Sequence, residues 1–296
     1  MSEAQPPPPP KGHSDRHART RRYFGERALE TLAVSRVLVV GAGAVGNEIV
    51  KHLGMVGLGA IALVDPDVVV ESNLNRCVLF RPEHARAKTP KPAAIAETAG
   101  QLGWPTRVET YARPIEEVPH EAWREIDLTI CGVDDDHARH YLNMHLLGFA
   151  HETGYSRFLI EGAMGADFTQ MRTCELPGTA CLVCNWTPEY LAGVMERRRQ
   201  QTCLEFFVEA RAAFPSISTQ TSWVAAQMAS EAIKLLVGLP TYRSTGTWPA
   251  GDDNRLRPHL GVVLRSETPQ HDVQRATAMR NPRCVEPFCR EPLSTH

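Results

Sequence analysis

The chain has 296 residues, of which 43% are apolar and 22% charged, with a formal charge of −2. That balance excludes a strongly basic nucleic-acid surface, no apolar run approaches the roughly 20 residues of a bilayer span, and the N-terminus lacks the apolar core of a signal peptide. We therefore expect a cytoplasmic protein with no nucleic-acid or membrane partner, one large α/β domain over residues 16–296, whose eight cysteines are metal ligands, a nucleophile or buried apolar residues rather than disulfides.

Residues 1–15 contain five consecutive prolines, Pro6 to Pro10, which neither form helix nor pair in a sheet, so a disordered or polyproline arm is expected. From Arg16 to Leu32 basic residues give way to apolar ones at helical spacing, predicting one or two short helices. Val37 to Val40 is a β-branched strand that runs into Gly41-Ala42-Gly43-Ala44-Val45-Gly46, after which Val45, Ile49, Leu53 and Val56 recur at helical spacing. Ile61 to Val64 is a second strand ending at Asp65, and Asp127 to Cys131 a later one running into Asp134-Asp135-Asp136 with a helix behind it. Strand and helix alternate, so the predicted sheet is doubly wound, Rossmann-like and largely parallel. Beyond Phe158 the pattern changes to extended runs, then a polar helical stretch from Pro188 to Gln201. A strong helix follows from Ser222 to Val237, stopped by Gly238 and Pro240, and the tail after Thr241 reads as short strands and loops.

Glycines at 41, 43 and 46 permit a tight turn and close approach of a phosphate, toward which the next helix directs unpaired N–H groups. Asp65, nineteen residues past Gly46, stands where a carboxylate accepts hydrogen bonds from a ribose. Together they indicate a nucleotide without saying which. The loop Asp65-Pro66-Asp67 through Ser72-Asn73-Leu74-Asn75-Arg76 and then Lys91 add cations after the ribose carboxylate. Hydride transfer has no use for them, whereas cleavage of an α–β phosphate bond needs fixed positive charge. Asp134, just past a strand's C-terminal end, is placed to hold Mg²⁺ bridging the phosphates. Taken singly, each of these charges also fits a solvated surface residue.

Cys181-Leu182-Val183-Cys184 is a knuckle, with Cys284 and Cys289 forming a second pair whose four intervening residues exceed the usual two. Four thiolates suit tetrahedral Zn²⁺ and would tie the tail to the central region; Cys174 lies near enough to substitute, and buried or redox thiols are the competing reading. Cys203 follows Arg197, Arg198 and Arg199, charges that favour a thiolate. Cys203 is therefore either a nucleophile or an apolar filler beside Leu204 and Phe206.

The glycine turn, Asp65, Ser72-Asn73-Leu74-Asn75-Arg76-Cys77, Lys91, and Asp134 with Arg139-His140-Tyr141-Leu142-Asn143 together resemble the signature of the ubiquitin-activating, ThiF and MoeB superfamily, over roughly residues 16–238. Cys77 stands where that signature has glutamine, and Lys88 where it has glycine. The resemblance implies an adenylyltransferase with an antiparallel extension to its sheet and a zinc knuckle, followed by a crossover loop over about 185–220 and a tail over 239–296. ATP would be bound by Gly41, Gly43, Gly46, Asp65, Asp67, Asn73, Arg76, Lys91 and Asp134, the last through Mg²⁺. It further implies a homodimer in which Arg19 of one subunit, or Arg16 or Arg22, completes the other's site, and Cys203 as the thioester-forming residue. The implied partner is a ubiquitin-like protein handed on to a conjugating enzyme. Activation of a sulfur-carrier protein, or a degenerate non-catalytic subunit, are the alternatives.

Overall fold

The computed structural model describes residues 15–165, 168–204, 217–249, 257–267, 272–291 and 293, with the backbone alone for 199–204 and 272. Two short helices, α1 (Ala18–Phe24) and α2 (Glu26–Val34), lead into β1 (Arg36–Val40). Then follow α3 (Ala44–Val56), β2 (Ala60–Val64), α4 (Pro82–Arg86), α5 (Lys91–Gln101), β3 (Arg107–Tyr111), α6 (His120–Arg124), β4 (Leu128–Cys131), α7 (Asp136–Thr153) and β5 (Arg157–Met164). The C-terminal part comprises β6 (Phe168–Leu176), α8 (Pro188–Leu204), α9 (Ser218–Thr245), β7 (Val262–Glu267), β8 (Asp272–Thr277) and α10 (Pro287–Arg290).

These strands form one sheet in the order β3-β2-β1-β4-β5-β6-β7-β8. The first five in that order pair in parallel, and β6 to β8 extend the sheet antiparallel. This is the expected Rossmann-like sheet with its extension. From β1 the chain winds toward β3, then returns to β4 on the other side of β1. The crevice beyond the C-terminal ends of β1 and β4 is therefore the switch point where doubly wound sheets take ligands.

Alternation along the strands builds two cores. Val37, Val39, Ile61 and Leu63 face one way and pack with Ile49 and Leu53 of α3, Ile95 of α5 and Val224, Met228, Ala232 and Leu235 of α9. Leu38, Val40, Ala62 and Val64 face the other way with Trp123 of α6, Leu142 and Leu146 of α7 and the cysteines 181, 184, 284 and 289. Each parallel strand is buried on both sides, which is why β1 and β2 read as unbroken apolar runs.

The bounds of one helix differ from the sequence analysis, and one strand has no counterpart in it. Helix α9 begins at Ser218 rather than Ser222, and it does not stop at Val237 but continues through Gly238 and Pro240 to Thr245. Pro240 costs the helix one N–H donor. The extension is held from outside, because Tyr242 stacks on Trp248 at 4.5 Å and its hydroxyl donates to Glu175. A Cβ at position 238 would lie 2.9 Å from the Trp248 ring, so that glycine answers to tertiary packing rather than to a helix end. Strand β3, with its Arg107-Val108-Glu109-Thr110-Tyr111 pattern, is an edge strand exposed or half-exposed along its length; it lacks the apolar run that marks its neighbours. The proline arm lies outside the described residues apart from Asp15, and no described helix is long and apolar enough to cross a membrane.

Candidate nucleotide site and cysteine centre

The glycine turn closes on β2. Gly41, at φ 95°, donates its N–H to the Val64 carbonyl (2.8 Å), and the Ala42 N–H donates to Asp65 Oδ2 (2.7 Å). A Cβ at position 46 would sit 1.8 Å from the Gly41 carbonyl oxygen, so only glycine lets α3 start this close to the strand. At position 43 a Cβ would meet nothing within 4 Å. The first intrahelical bond of α3 runs from Asn47 N–H to the Gly43 carbonyl (2.8 Å). The N–H groups of Gly43 to Gly46 therefore precede the helical ladder and are free of it, in the position where helix starts accept phosphate.

Asp65 is 7% exposed. Its second oxygen accepts the Asp67 N–H (2.8 Å), and each carboxylate oxygen keeps a lone pair for a further donor. Lys91 Nζ lies 2.7 Å from Asp67 Oδ2 and 3.9 Å from Asp65 Oδ1. Burial raises the Asp65 pKa against the opposing pull of Lys91. For Lys91, burial works against the charge, but Asp65 and Asp67 outweigh it and hold its pKa above the usual value. The structure thus brings Asp65, Asp67 and Lys91 into one cluster beside the turn. Asn73 is turned to local use, its Oδ1 accepting the Val70 N–H (3.1 Å). Arg76 donates to the Ser72 carbonyl (2.6 Å) and to Asn75 Oδ1 (3.0 Å), all within its own loop. Cys77, buried beneath it, has its thiol pushed up to about 11 by desolvation, in keeping with a structural residue.

Across the switch point the β4–α7 loop packs on the same helix start: a Cβ at Gly132 would lie 3.1 Å from the Val45 side chain. Of the three aspartates that follow, Asp135 caps α7 by accepting the His137 N–H (3.2 Å). Asp136 accepts from the Tyr190 hydroxyl of α8 (2.6 Å). Asp134 is exposed, and among the described residues no hydrogen bond or ion pair engages its carboxylate. Mg²⁺ is commonly held by one or two carboxylates together with substrate phosphates. A lone carboxylate at this edge is a donor set that fits it.

Helix α1 is pinned elsewhere. Arg16 donates to the carbonyls of Gly103 and Leu102, and the His17 ring packs where a Cβ on Gly57 would be 3.0 Å away. Gly57 closes α3 and Gly103 follows α5, at the sheet edge opposite the glycine turn. Arg16 is thereby committed within its own chain, and Arg19, two residues after His17, is exposed.

Cys181, Cys184, Cys284 and Cys289 converge, all buried, with their sulfur atoms within 4.8 Å of one another. The separations Cys181–Cys284, Cys181–Cys184 and Cys184–Cys289 are 3.6, 3.7 and 3.6 Å. Tetrahedral zinc at about 2.3 Å from each sulfur sets them roughly 3.8 Å apart, so the cluster fits that ion. The wide spacing in the second pair is absorbed by α10, on which Cys289 sits. Cys174, fully buried, stays outside the group of four, with its thiol raised to about 12 by desolvation. Carbonyls around the knuckle are held by Asn281 Nδ2 to Cys184 O (2.9 Å) and by Arg172 to Cys181 O (3.3 Å) and Leu182 O (3.2 Å). Asn143 Oδ1 accepts the Leu182 N–H (2.9 Å), joining α7 to the knuckle. Cys203 falls in the last turn of α8, and its side chain lies outside the described residues, as does much of the stretch expected to form the crossover loop.

The model of the ThiF family matches residues 15–271. The chain belongs to the ThiF family. It is 30% identical over 160 residues to the NEDD8-activating enzyme E1 catalytic subunit of Schizosaccharomyces pombe, covering 54% of this chain and 35% of that protein. It is 29% identical over 149 residues to ubiquitin-like modifier-activating enzyme 6 of Homo sapiens, covering 47% of this chain and 14% of that one. The chain thus spans about a third or less of the length of these relatives. Among solved structures, Escherichia coli MccB with ATP superposes with a TM-score of 0.66 over 93% of this chain and 74% of that one, at 18% identity, a likeness of fold.

The ThiF-family motifs named the residues at the switch point but left some roles unread. Arg139 and Asn143 belonged to a visible R-x-x-L-N pattern. What they hold, the Val133 carbonyl and the Leu182 N–H, depends on segments 6 and 39 residues away. The Tyr190–Asp136 bond had no signal in sequence at all.

Proposed function

We propose that this ThiF-family chain adenylates the C-terminal carboxylate of a ubiquitin-like protein, using ATP. The observation that carries this reading is the grouping of the open turn at Gly43, the Asp65–Lys91–Asp67 cluster and Asp134, without a hydrogen-bond or ion-pair partner among the described residues, around one switch point. In this reading the phosphates lie against the N–H groups of Gly43 to Gly46, and Asp65 accepts from the ribose hydroxyls. Lys91 exchanges its contact with Asp67 for phosphate oxygens. Asp134 would hold Mg²⁺, which supplies charge neutralisation across the phosphates. The incoming carboxylate is already ionised, so its oxygen attacks the α-phosphorus without a general base, and pyrophosphate leaves. The chain contributes positioning and fixed positive charge.

Arg19 fits best as the arginine given to a second copy, since α1 is anchored at the opposite edge of its own sheet; a homodimer with two composite sites follows. Cys203 would then attack the acyl-adenylate carbonyl, forming the thioester and releasing AMP, before transfer to a conjugating enzyme. Cys203 stands thirteen residues beyond Tyr190 in α8, roughly 20 Å along a straight helix from the residue that meets Asp136. The named relatives, which activate NEDD8 or other ubiquitin-like modifiers, favour a ubiquitin-like protein over a sulfur carrier as the activated partner.

The test is ATP–pyrophosphate exchange in the presence of small glycine-tailed proteins. Exchange that depends on the protein tail is expected; its absence with every such protein would sink the adenylation reading in favour of a degenerate subunit. Cys203→Ala should keep exchange and lose a reductant-labile adduct with the activated protein. An adduct that survives that substitution removes the thioester step.

A further inference from the structure

Arg139, in the second turn of α7, is a buried cation whose side chain is 18% exposed and paired with Glu161 of β5, itself 3% exposed. It does more than neutralise a carboxylate. Its Nε and Nη2 both donate to the Val133 carbonyl, at 3.2 and 2.6 Å, while Nη1 donates to Glu161 Oε1 and Nη2 lies 3.5 Å from the Gly162 carbonyl. One planar fork thus ties the residue immediately before Asp134 to the neighbouring strand. On the other side Asp135 is fixed by its cap on the His137 N–H, and Gly132 is packed on Val45. The backbone is held on both sides of Asp134, whose carboxylate alone is left without a hydrogen-bond or ion-pair partner among the described residues.

We propose that Arg139 is the positioning residue for Asp134, its guanidinium fixing the Val133 carbonyl so that the carboxylate is presented to Mg²⁺ on the bound nucleotide. The inference rests on the nucleotide reading above and adds to it a residue that touches neither nucleotide nor metal. A lysine could replace the charge beside Glu161 but not the two-pronged grip, because an ammonium offers no planar fork.

The experiment measures ATP binding by calorimetry, with and without Mg²⁺, for the full chain, for Arg139→Lys, and for the double variant Arg139→Met with Glu161→Met. The double variant removes both buried charges together, so no unpaired ion is left to unfold the protein. Both variants are expected to melt cooperatively and to bind Mg²⁺-free ATP as the wild type does. Their apparent Mg²⁺ affinity in the ATP complex should fall about 10- to 100-fold, the usual consequence of losing a group that orients a metal ligand. A folded variant with wild-type Mg²⁺ dependence overturns the proposal. So does an equal loss of ATP affinity with and without Mg²⁺, which would mark a general loosening of the fold. Wild-type protein that binds no ATP in either condition would instead overturn the nucleotide reading, and the role of Arg139 with it.

Discussion

The switch point and the cysteine corner both adjoin α7, and they are held by different means. At the switch point the loops are fixed by the protein's own groups: the Ala42 and Asp67 N–H groups on Asp65, and the Arg139 fork on the Val133 carbonyl. The residue left over, Asp134, is exposed. At the corner four thiols are between 0 and 2% exposed and face one another across less than 4.8 Å. Hydrogen bonds between thiols are weak, and a structural ion is what gives such a cluster its energy. On the proposed reading the contrast separates residues that act on a nucleotide from residues that hold the chain together, and substitution can tell them apart.

The largest effect on stability is expected at the corner. Structural zinc contributes on the order of 10 kcal/mol that only the folded chain can collect. Cys181→Ser should therefore take the metal content from about one zinc per chain to none and lower Tm more than any change at the switch point. Metal analysis alongside thermal melting checks this; a Cys181→Ser protein that melts like the wild type would break the comparison.

Asp134→Ala should do the reverse. Exchange should fall by about 10²- to 10³-fold, as when one transition-state electrostatic contact is removed. Stability should stay within about 0.5 kcal/mol, because the carboxylate is exposed and makes no hydrogen bond or ion pair among the described residues. Normal exchange in that variant removes the metal assignment.

The smallest effect sharpens the same distinction away from both regions. Glu231 of α9, 3% exposed, accepts from Lys234 (2.6 Å) and from the backbone and ring of His259 (2.9 and 2.8 Å). Burial opposes its charge, but these donors outweigh it and hold its pKa below the ordinary 4.5. A lowered carboxyl pKa contributes stability that is fully present above 4.5 and lost as pH falls through the folded value. Glu231→Gln should thus be less stable than the wild type at neutral pH, the gap closing as melts are taken below pH 4.5. A gap that stays constant with pH would show that Glu231 does not act through its charge.

Much of the fold was legible where local pattern and burial agree. β1 and β2 are covered on both faces and so read as apolar runs. The glycine turn was equally plain, since Gly46 meets the Gly41 carbonyl within its own strand–turn–helix unit. β3 escaped because an edge strand needs no apolar alternation, and the end of α9 was misread because its continuation depends on Trp248 and Glu175, which lie outside the helix.

The sequence by itself determined the family, the parallel core and the chemical types gathered at the switch point, because these rest on short-range rules of turn geometry, strand burial and motif spacing. The tertiary structure alone decided which of three consecutive aspartates has no hydrogen-bond or ion-pair partner among the described residues and which arginine is committed to a carbonyl, and it brought together the four cysteines named from the sequence while leaving Cys174 outside. Those outcomes depend on partners as far as 105 residues away in the chain. Hydrogen bonds of that range are set by how the sheet brings its loops together and no local pattern encodes them, whereas the cysteine spacing named the four thiols and the packing brought them within reach.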